Sequence, residues 1–241
     1  MNSEAFLSLL QFSDGLFPVG AYAHSFGLES YVAEGTIRDA RGVEAFLLSH
    51  LQGSVAHIDV IAALATRRAA RVGHKAIEDS IAIDQCIAVD HALDAMKSAS
   101  ELRDASRQMG RQVLRIAANL AAPLPSHTLA ADLFRAVENE ETPGHHAVAF
   151  GAVAAAQNWQ EIEMASAYLY STCAGIVAAS LRLLPMGQLA GQRILWSLAA
   201  PIAKLAEEVQ GKDMNDIWSF APAIEIAAMR HATLDARLFR S

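Results

Sequence analysis

The chain has 241 residues, 53% of them hydrophobic, with a mean hydropathy of +0.22, ample apolar material to bury one large core. A net charge of −7 and a pI near 5.7 would repel a phosphate backbone, so nucleic acid is excluded as the expected partner and proteins or small molecules remain. Cys86 and Cys173 stand far apart without C-x-x-C spacing, and the opening Met1-Asn2-Ser3-Glu4 has neither the basic nor the apolar region of a secretion signal; a reducing cytoplasm is the expected location.

Residues 16 to 29 form an unusually apolar loop that carries Pro18, Gly20, Gly27 and the aromatics Phe17, Tyr22 and Phe26. Pro18 fixes its own φ and restricts Phe17, Gly20 is free to take a positive φ, and His24-Ser25 stand between two backbone breakers. A short helix is expected from Ser25 to Glu34, with the Ser25 hydroxyl as its cap. The loop reads as a shaped recognition element or a site. Ala23 to Gly27 also has the spacing of a nucleophile elbow, but that device needs a parallel sheet and downstream Asp and His on strand ends, whereas this chain offers helices.

Apolar residues then recur at steps of three and four through Val43, Leu47, Leu51, Val55, Ile58 and Ala62, and again through Leu102, Met109 and Ile116 with Ser106, Val113 and Leu120. Ser98 with Glu101 has the form of a capping box. In the helix expected from Ser98 to Leu120, Arg103, Arg107, Arg111 and Arg115 repeat every four residues and make one ridge that drifts by about 40° per step. Like charges so spaced cost roughly 0.2 to 0.5 kcal/mol per pair, and only Glu101 and Asp104 lie nearby in the same helix. The ridge therefore calls for carboxylates on another helix or on a partner.

The loop from Glu138 to His146 gathers three carboxylates and two imidazoles, ligand types that suit a divalent ion. Adjacent histidines point in different directions on a helix, however, and no His-x3-His pair with a third ligand accompanies them. His145 and His146 are accordingly only weak metal candidates, and Thr142 followed by Pro143 reads as a helix start. The uncharged span Met164 to Leu181 approaches membrane-spanning length, yet Ser166, Tyr168, Tyr170, Ser171 and Thr172 lie within it and no basic clusters flank it. It is expected to be a buried central helix, packed with Ala147 to Ala156, and Cys86 and Cys173 are expected in the core. Gly211-Lys212 continues to Asp213 without the glycine of a phosphate-binding loop. Further breaks fall at Gly35, Gly73, Pro123 to Pro125, Pro185 to Gly187 and Gly211, giving an all-α, single-domain bundle of about nine or ten helices over residues 1–241. The last piece, Pro222 to Ser241, is marginal for an autonomous helix and is expected to be a tail that orders on a partner.

Three blocks carry a resemblance. Pro18 to Ala21 with Ser25 to Glu29, then Arg182-Leu-Leu-Pro-Met-Gly-Gln188 with Gly191-Gln192, then the ending Arg237-Leu-Phe-Arg-Ser241 resemble, in order, the signature of the UreF family of urease accessory proteins. Weaker echoes, Glu101 to Gly110 and His145 before Gly151, extend it over the whole chain. Between His231 and Arg237 the family places Glu, Gln, an aromatic and a hydroxyl residue, where this chain has Ala232, Leu234, Asp235 and Ala236. The resemblance implies a non-catalytic chaperone that binds the UreD/UreH-type accessory protein in contact with apo-urease and recruits the UreG-type GTPase. It would act as a homodimer in GTP-dependent insertion of nickel, with nickel and GTP used by the assembled complex and no cofactor bound by this chain. Candidate partner-binding residues are Arg182, Gln188 and Gln192 at the corner made by Pro185 and Gly187, and Ile224, Met229, Arg237, Leu238, Phe239 and Arg240 in the tail. The alternatives are a helical-bundle enzyme using the His24-Ser25 loop and a metallochaperone that holds nickel itself.

Overall fold

The computed structural model describes residues 1–20, 23–72, 76–120 and 129–240, so Ala21, Tyr22, Gly73, Pro123 to Pro125 and Ser241 lie outside the described residues. Local signals start the first helices. Asn2 Oδ1 accepts the Ala5 N–H at 2.8 Å to open α1 (Ser3–Ser13), and Asp39 Oδ1 accepts the Gly42 N–H at 2.9 Å to open α3 (Ala40–His50). Between them α2 (Leu28–Ala33) is shorter than the sequence suggests, because Phe26 and Gly27 take φ of 53° and 87° and the helix begins only after them. Ser25 still serves its expected end: its Oγ accepts the Glu29 N–H at 3.3 Å.

Helix α3 runs through a widened, π-type stretch, Leu51–Val60, into α4 (Ile61–Val72). That widening coincides with an intruding segment. The Phe220 N–H donates to the Gly53 carbonyl at 2.8 Å, and a Cβ on Gly53 would stand 2.8 Å from the Phe220 oxygen, so only glycine admits this approach. There follow α5 (Ala76–Met96), α6 (Ser100–Leu120), α7 (Leu129–Glu138), α8 (His146–Ala156), α9 (Glu161–Leu183), α10 (Gln188–Glu208), a single 3₁₀ turn (Met214–Asp216) and α11 (Pro222–His231). Among the described residues there is no strand, and the fold is all-α as the periodicity predicts.

Helix α8 is the axle. Ala147 through Ala154 are all buried, and α4 and α6 close on it from two sides. Gly151 and Gly110 permit this, since a Cβ on either would collide with the backbone of Ala63 or of Gly144 and His145. Helix α9 pairs with α10, and Phe150, Trp159 and Tyr168 cluster with ring centroids 5.1 and 5.4 Å apart around Phe150. Trp159 is fully buried, its Nε1 donates to Ser8 Oγ at 2.7 Å, and its carbonyl accepts the Arg67 Nε–H at 2.7 Å. Cys86 and Cys173 are buried thiols. Ala40–Ala70 and Glu161–Leu183 are long and apolar enough to cross a membrane, but 72% and 50% of their apolar windows are buried inside the bundle.

Two expected helix starts are used otherwise. Helix α6 begins at Ser100, and Glu101 turns away from the presumed capping box toward the C-terminal segment. Thr142 does not cap α8; its hydroxyl donates to Asp90 Oδ2 at 2.6 Å.

Candidate functional site

The C-terminal segment, expected to wait for a partner, is seated on the chain's own body. Gly27 makes this possible, because a Cβ there would stand 3.2 Å from Ala228 N and 3.3 Å from Ile224 O, so the backbone of α11 lies directly against the entry to α2. Ser30 Oγ donates to the Ala227 carbonyl at 2.7 Å. At the centre of the contact is Glu29, which is buried. Its Oε1 accepts the Leu238 N–H at 2.6 Å, and its Oε2 accepts the Phe239 N–H at 3.1 Å and meets His231 Nε2 at 2.8 Å. The other ring nitrogen, His231 Nδ1, meets Glu101 Oε2 at 2.7 Å, while Glu101 Oε1 accepts Arg237 Nη1 at 3.2 Å. The His231 ring thus stands between the two carboxylates, with one nitrogen on each, and Arg237 closes the cluster on the Glu101 side.

The three blocks meet here. The Arg240 N–H donates to the Ala23 carbonyl at 2.6 Å, tying the end of the chain to the 16–29 loop, and the Arg182 guanidinium lies 4.5 Å over the ring of buried Phe239. Ile224 is buried against the bundle. Met229, Arg237, Leu238 and Arg240 are exposed, and so are Arg182, Gln188 and Gln192. His24 is buried beside them; burial and then the charge of Arg240 lower its pKa to about 4. Glu29, Glu101 and His231 were not singled out as a group by the sequence, because residues 202 and 130 positions apart leave no local signal.

A second polar centre absorbs the weak metal candidates. Asp90, fully buried, accepts the Thr142 hydroxyl, the Gly144 N–H at 2.5 Å and the His145 N–H at 2.8 Å, and so folds the 138–146 loop around itself. His145 Nδ1 meets Ser106 Oγ and its Nε2 meets Asp94 Oδ1, both at 3.0 Å, leaving neither nitrogen for a metal in this arrangement. Burial holds His145 below the usual histidine range. His146 points elsewhere, to Tyr168 OH at 3.2 Å. Among the described residues no group of three or more His, Cys, Asp or Glu is placed to hold a metal ion. Asp94 also takes the two-pronged contact of Arg107 at 2.7 and 2.8 Å, Arg103 donates to the Lys97 carbonyl, and Arg111 to the Pro143 carbonyl, so most of the arginine ridge is spent within the fold.

Ser13, Phe17, Val19 and Phe26 border a cavity of about 160 Å³ that is bounded also by the π-type stretch, α6, α9 and α11. One wall is polar: Asp59 and Lys97 pair at 2.8 Å, and His50, His146 and Tyr168 stand close enough to feel them. Burial lowers the pKa of His50 and of His146 to about 4.

Comparison with known proteins agrees with the residue blocks. The model of the UreF family matches residues 37–199. The urease accessory protein UreF of Paenarthrobacter aurescens (strain TC1) is 31% identical over 242 residues, covering 100% of both chains. Those of Actinobacillus pleuropneumoniae and Lachnoclostridium phytofermentans are each 29% identical, covering 97% and 98% of this chain. With the sequence blocks brought together at one pole and matching relatives over the full length, the chain belongs to the UreF family of urease accessory proteins.

Proposed function

We propose that this chain is a non-catalytic scaffold in urease maturation, a cytoplasmic homodimer that joins the UreD/UreH-type accessory protein on apo-urease to the UreG-type GTPase. Nickel and GTP are then consumed by the assembled complex, and this subunit contributes binding surface. The observation that carries the reading is the convergence of the 16–29 loop, Arg182 and the Arg237–Arg240 end at one pole. That pole presents Ile226, Met229 and Leu238, about half exposed, beside Arg230, Arg237 and Arg240. An apolar stripe edged with arginines suits a partner surface that is itself apolar and acidic. Because the inner side of the tail is held by Glu29 and Glu101, the outer side is offered with much of its ordering already complete. A catalytic role for Ser25 has less support, since that hydroxyl is buried and engaged with the Glu29 N–H.

The test is capture of the purified UreD/UreH-type protein by this chain and by Leu238→Glu and Arg237→Glu. Leu238 is exposed and its side chain takes no part in holding the tail, so Leu238→Glu should keep helicity and melting close to wild type, whereas Arg237→Glu also sets a carboxylate against Glu101 and should loosen the tail; capture by each falls at least about tenfold, the equivalent of about 1.4 kcal/mol. Undiminished capture by both variants overturns the assignment of this surface. Arg182→Ala, in parallel, is expected to weaken recruitment of the UreG-type GTPase.

A further inference from the structure

Helix α10 has an outer face that the bundle leaves uncovered. Ile194, Leu198, Ile202 and Leu205 turn inward, whereas Trp196 on the opposite side is 86% exposed, more than any other large apolar side chain among the described residues. At 100° per residue, Arg193, Trp196, Ala203, Lys204 and Glu207 all fall within about 60° of Ala200, and every one of them is exposed. An indole offers some 150–250 Å² of contact area and is enriched in the cores of protein interfaces, so its exposure at the middle of a charged and small-residue stripe calls for a covering surface.

The stripe is complementary to itself. When a second α10 runs antiparallel across the first, with the two-fold axis beside Ala200, residues equally far before and after Ala200 meet. Arg193 and Glu207, each seven residues away, then form two symmetric ion pairs. Trp196, four residues before Ala200, comes down on Ala203, three residues after it, and the alanines let the axes approach closely at the near-antiparallel crossing of about 20°. Lys204 reaches Ser197, whose hydroxyl donates to Glu44 Oε1 at 2.5 Å, and so meets a second carboxylate. Arg193, Lys204 and Glu207 make no ion pair within the chain among the described residues, which leaves all three charges available. A parallel pairing would instead set Arg193 on Arg193 and Glu207 on Glu207, so the charges select the antiparallel one.

We propose that the outer face of α10 is the contact between two copies of this chain, an isologous antiparallel pairing centred on Ala200. The assignment rests on the homodimer reading above and names the surface that makes the dimer. Leu238 and Arg237, offered to the UreD/UreH-type protein, take no part in it.

The experiment is sedimentation equilibrium of the purified full-length chain, with no partner protein present. The wild type should dimerise with a Kd of about 1 μM or tighter. Trp196→Ala should weaken dimerisation at least about 100-fold, because each dimer loses the indole twice. Arg193→Glu and Glu207→Arg each set two like-charged pairs across the axis, so either alone should be monomeric where the wild type is dimeric, with circular dichroism unchanged because these side chains are exposed. Mixed in equal amounts, the two charge variants should dimerise again, since every opposed pair is then of opposite sign; an effect confined to the folding of one chain would give no such recovery. A dimer undiminished by Trp196→Ala, or charge variants that dimerise alone or fail to recover on mixing, overturns the α10 assignment and leaves the homodimer reading standing. A wild type still monomeric at about 50 μM, well above the expected Kd, overturns both. Loss of the dimer in Leu238→Glu, with the α10 variants still dimeric, also overturns the assignment by placing the contact at the tail.

Discussion

Replacement of Glu29 by alanine removes the hub of the C-terminal contact. In the wild-type chain its carboxylate receives the Leu238 N–H, the Phe239 N–H and His231 Nε2, at 2.6, 3.1 and 2.8 Å. Hydrogen bonds to a charged group contribute about 1.5–3 kcal/mol each, and breaking a buried ion pair from one side costs about 3–5 kcal/mol. Leu238 is half exposed and its amide can turn to water, so the lower end of that range, about 3 kcal/mol, is the better figure. Two of the three donors belong to the tail. The loss therefore falls on attachment of residues 232–240 and raises their opening equilibrium by at least about 100-fold, while the bundle around α8 keeps its helicity. Hydrogen exchange at the Leu238 and Phe239 amides reads the opening directly, and trypsin cleavage after Arg237 reports it independently. Glu29→Gln, which keeps an acceptor but loses the charge facing His231, should fall between the two. Unchanged exchange at both amides in Glu29→Ala would contradict this, because the tail would then be held by Phe239 against Arg182, by Arg237 on Glu101 and by Arg240 on Ala23 without need of Glu29.

Stability should also fall with acid in a window set by the buried histidines. His50 is neutral in the folded chain with a pKa of about 4, against 6.5 when unfolded, so its contribution is complete above pH 6.5 and is lost as pH falls toward 4, about 2 kcal/mol by pH 5. Denaturant unfolding of wild type and His50→Phe between pH 7 and 4.5 should show a shallower slope in the variant, and equal slopes would contradict the assignment. Cys86 and Cys173, buried with thiol pKa values pushed up to about 12, should resist a thiol reagent at pH 8 in the native chain and react only on unfolding. Gly110→Ala should destabilise by about 3 kcal/mol or prevent folding, since its Cβ collides with backbone that Asp90 holds in place; an unchanged melting temperature would count against that packing.

Most of the helices were legible in the sequence because a 3.6-residue apolar period is a local property, and Val43 through Ala62 or Leu102 through Ile116 display it without reference to the rest of the chain. The exceptions share a cause. The π-type stretch answers to Phe220, far along the chain, and the Ser98–Glu101 box fails because His231 and Arg237 compete for Glu101. Thr142 is drawn away from the α8 start by Asp90. The arginine ridge was visible as a charge problem, but its solution, through Asp94 and the Lys97 and Pro143 carbonyls, comes from other elements. For the tail, helix length bears only on an isolated peptide. It said nothing about Gly27 and Glu29, which give α11 and the last residues a surface to lie on. The three recognition blocks were each readable, whereas their meeting through Arg182 with Phe239 and Arg240 with Ala23 required the fold.

The central claim, that this chain is the scaffold linking partners in urease maturation, is tested most directly by activating apo-urease in a mixture of purified components with nickel and GTP. The UreD/UreH-type protein and the UreG-type GTPase are held constant, and this chain is supplied as wild type, as the Leu238→Glu variant, or omitted. Activation is expected with the wild type, little with the variant and none on omission, with no metal or nucleotide bound by the chain alone. Full activation on omission would contradict it.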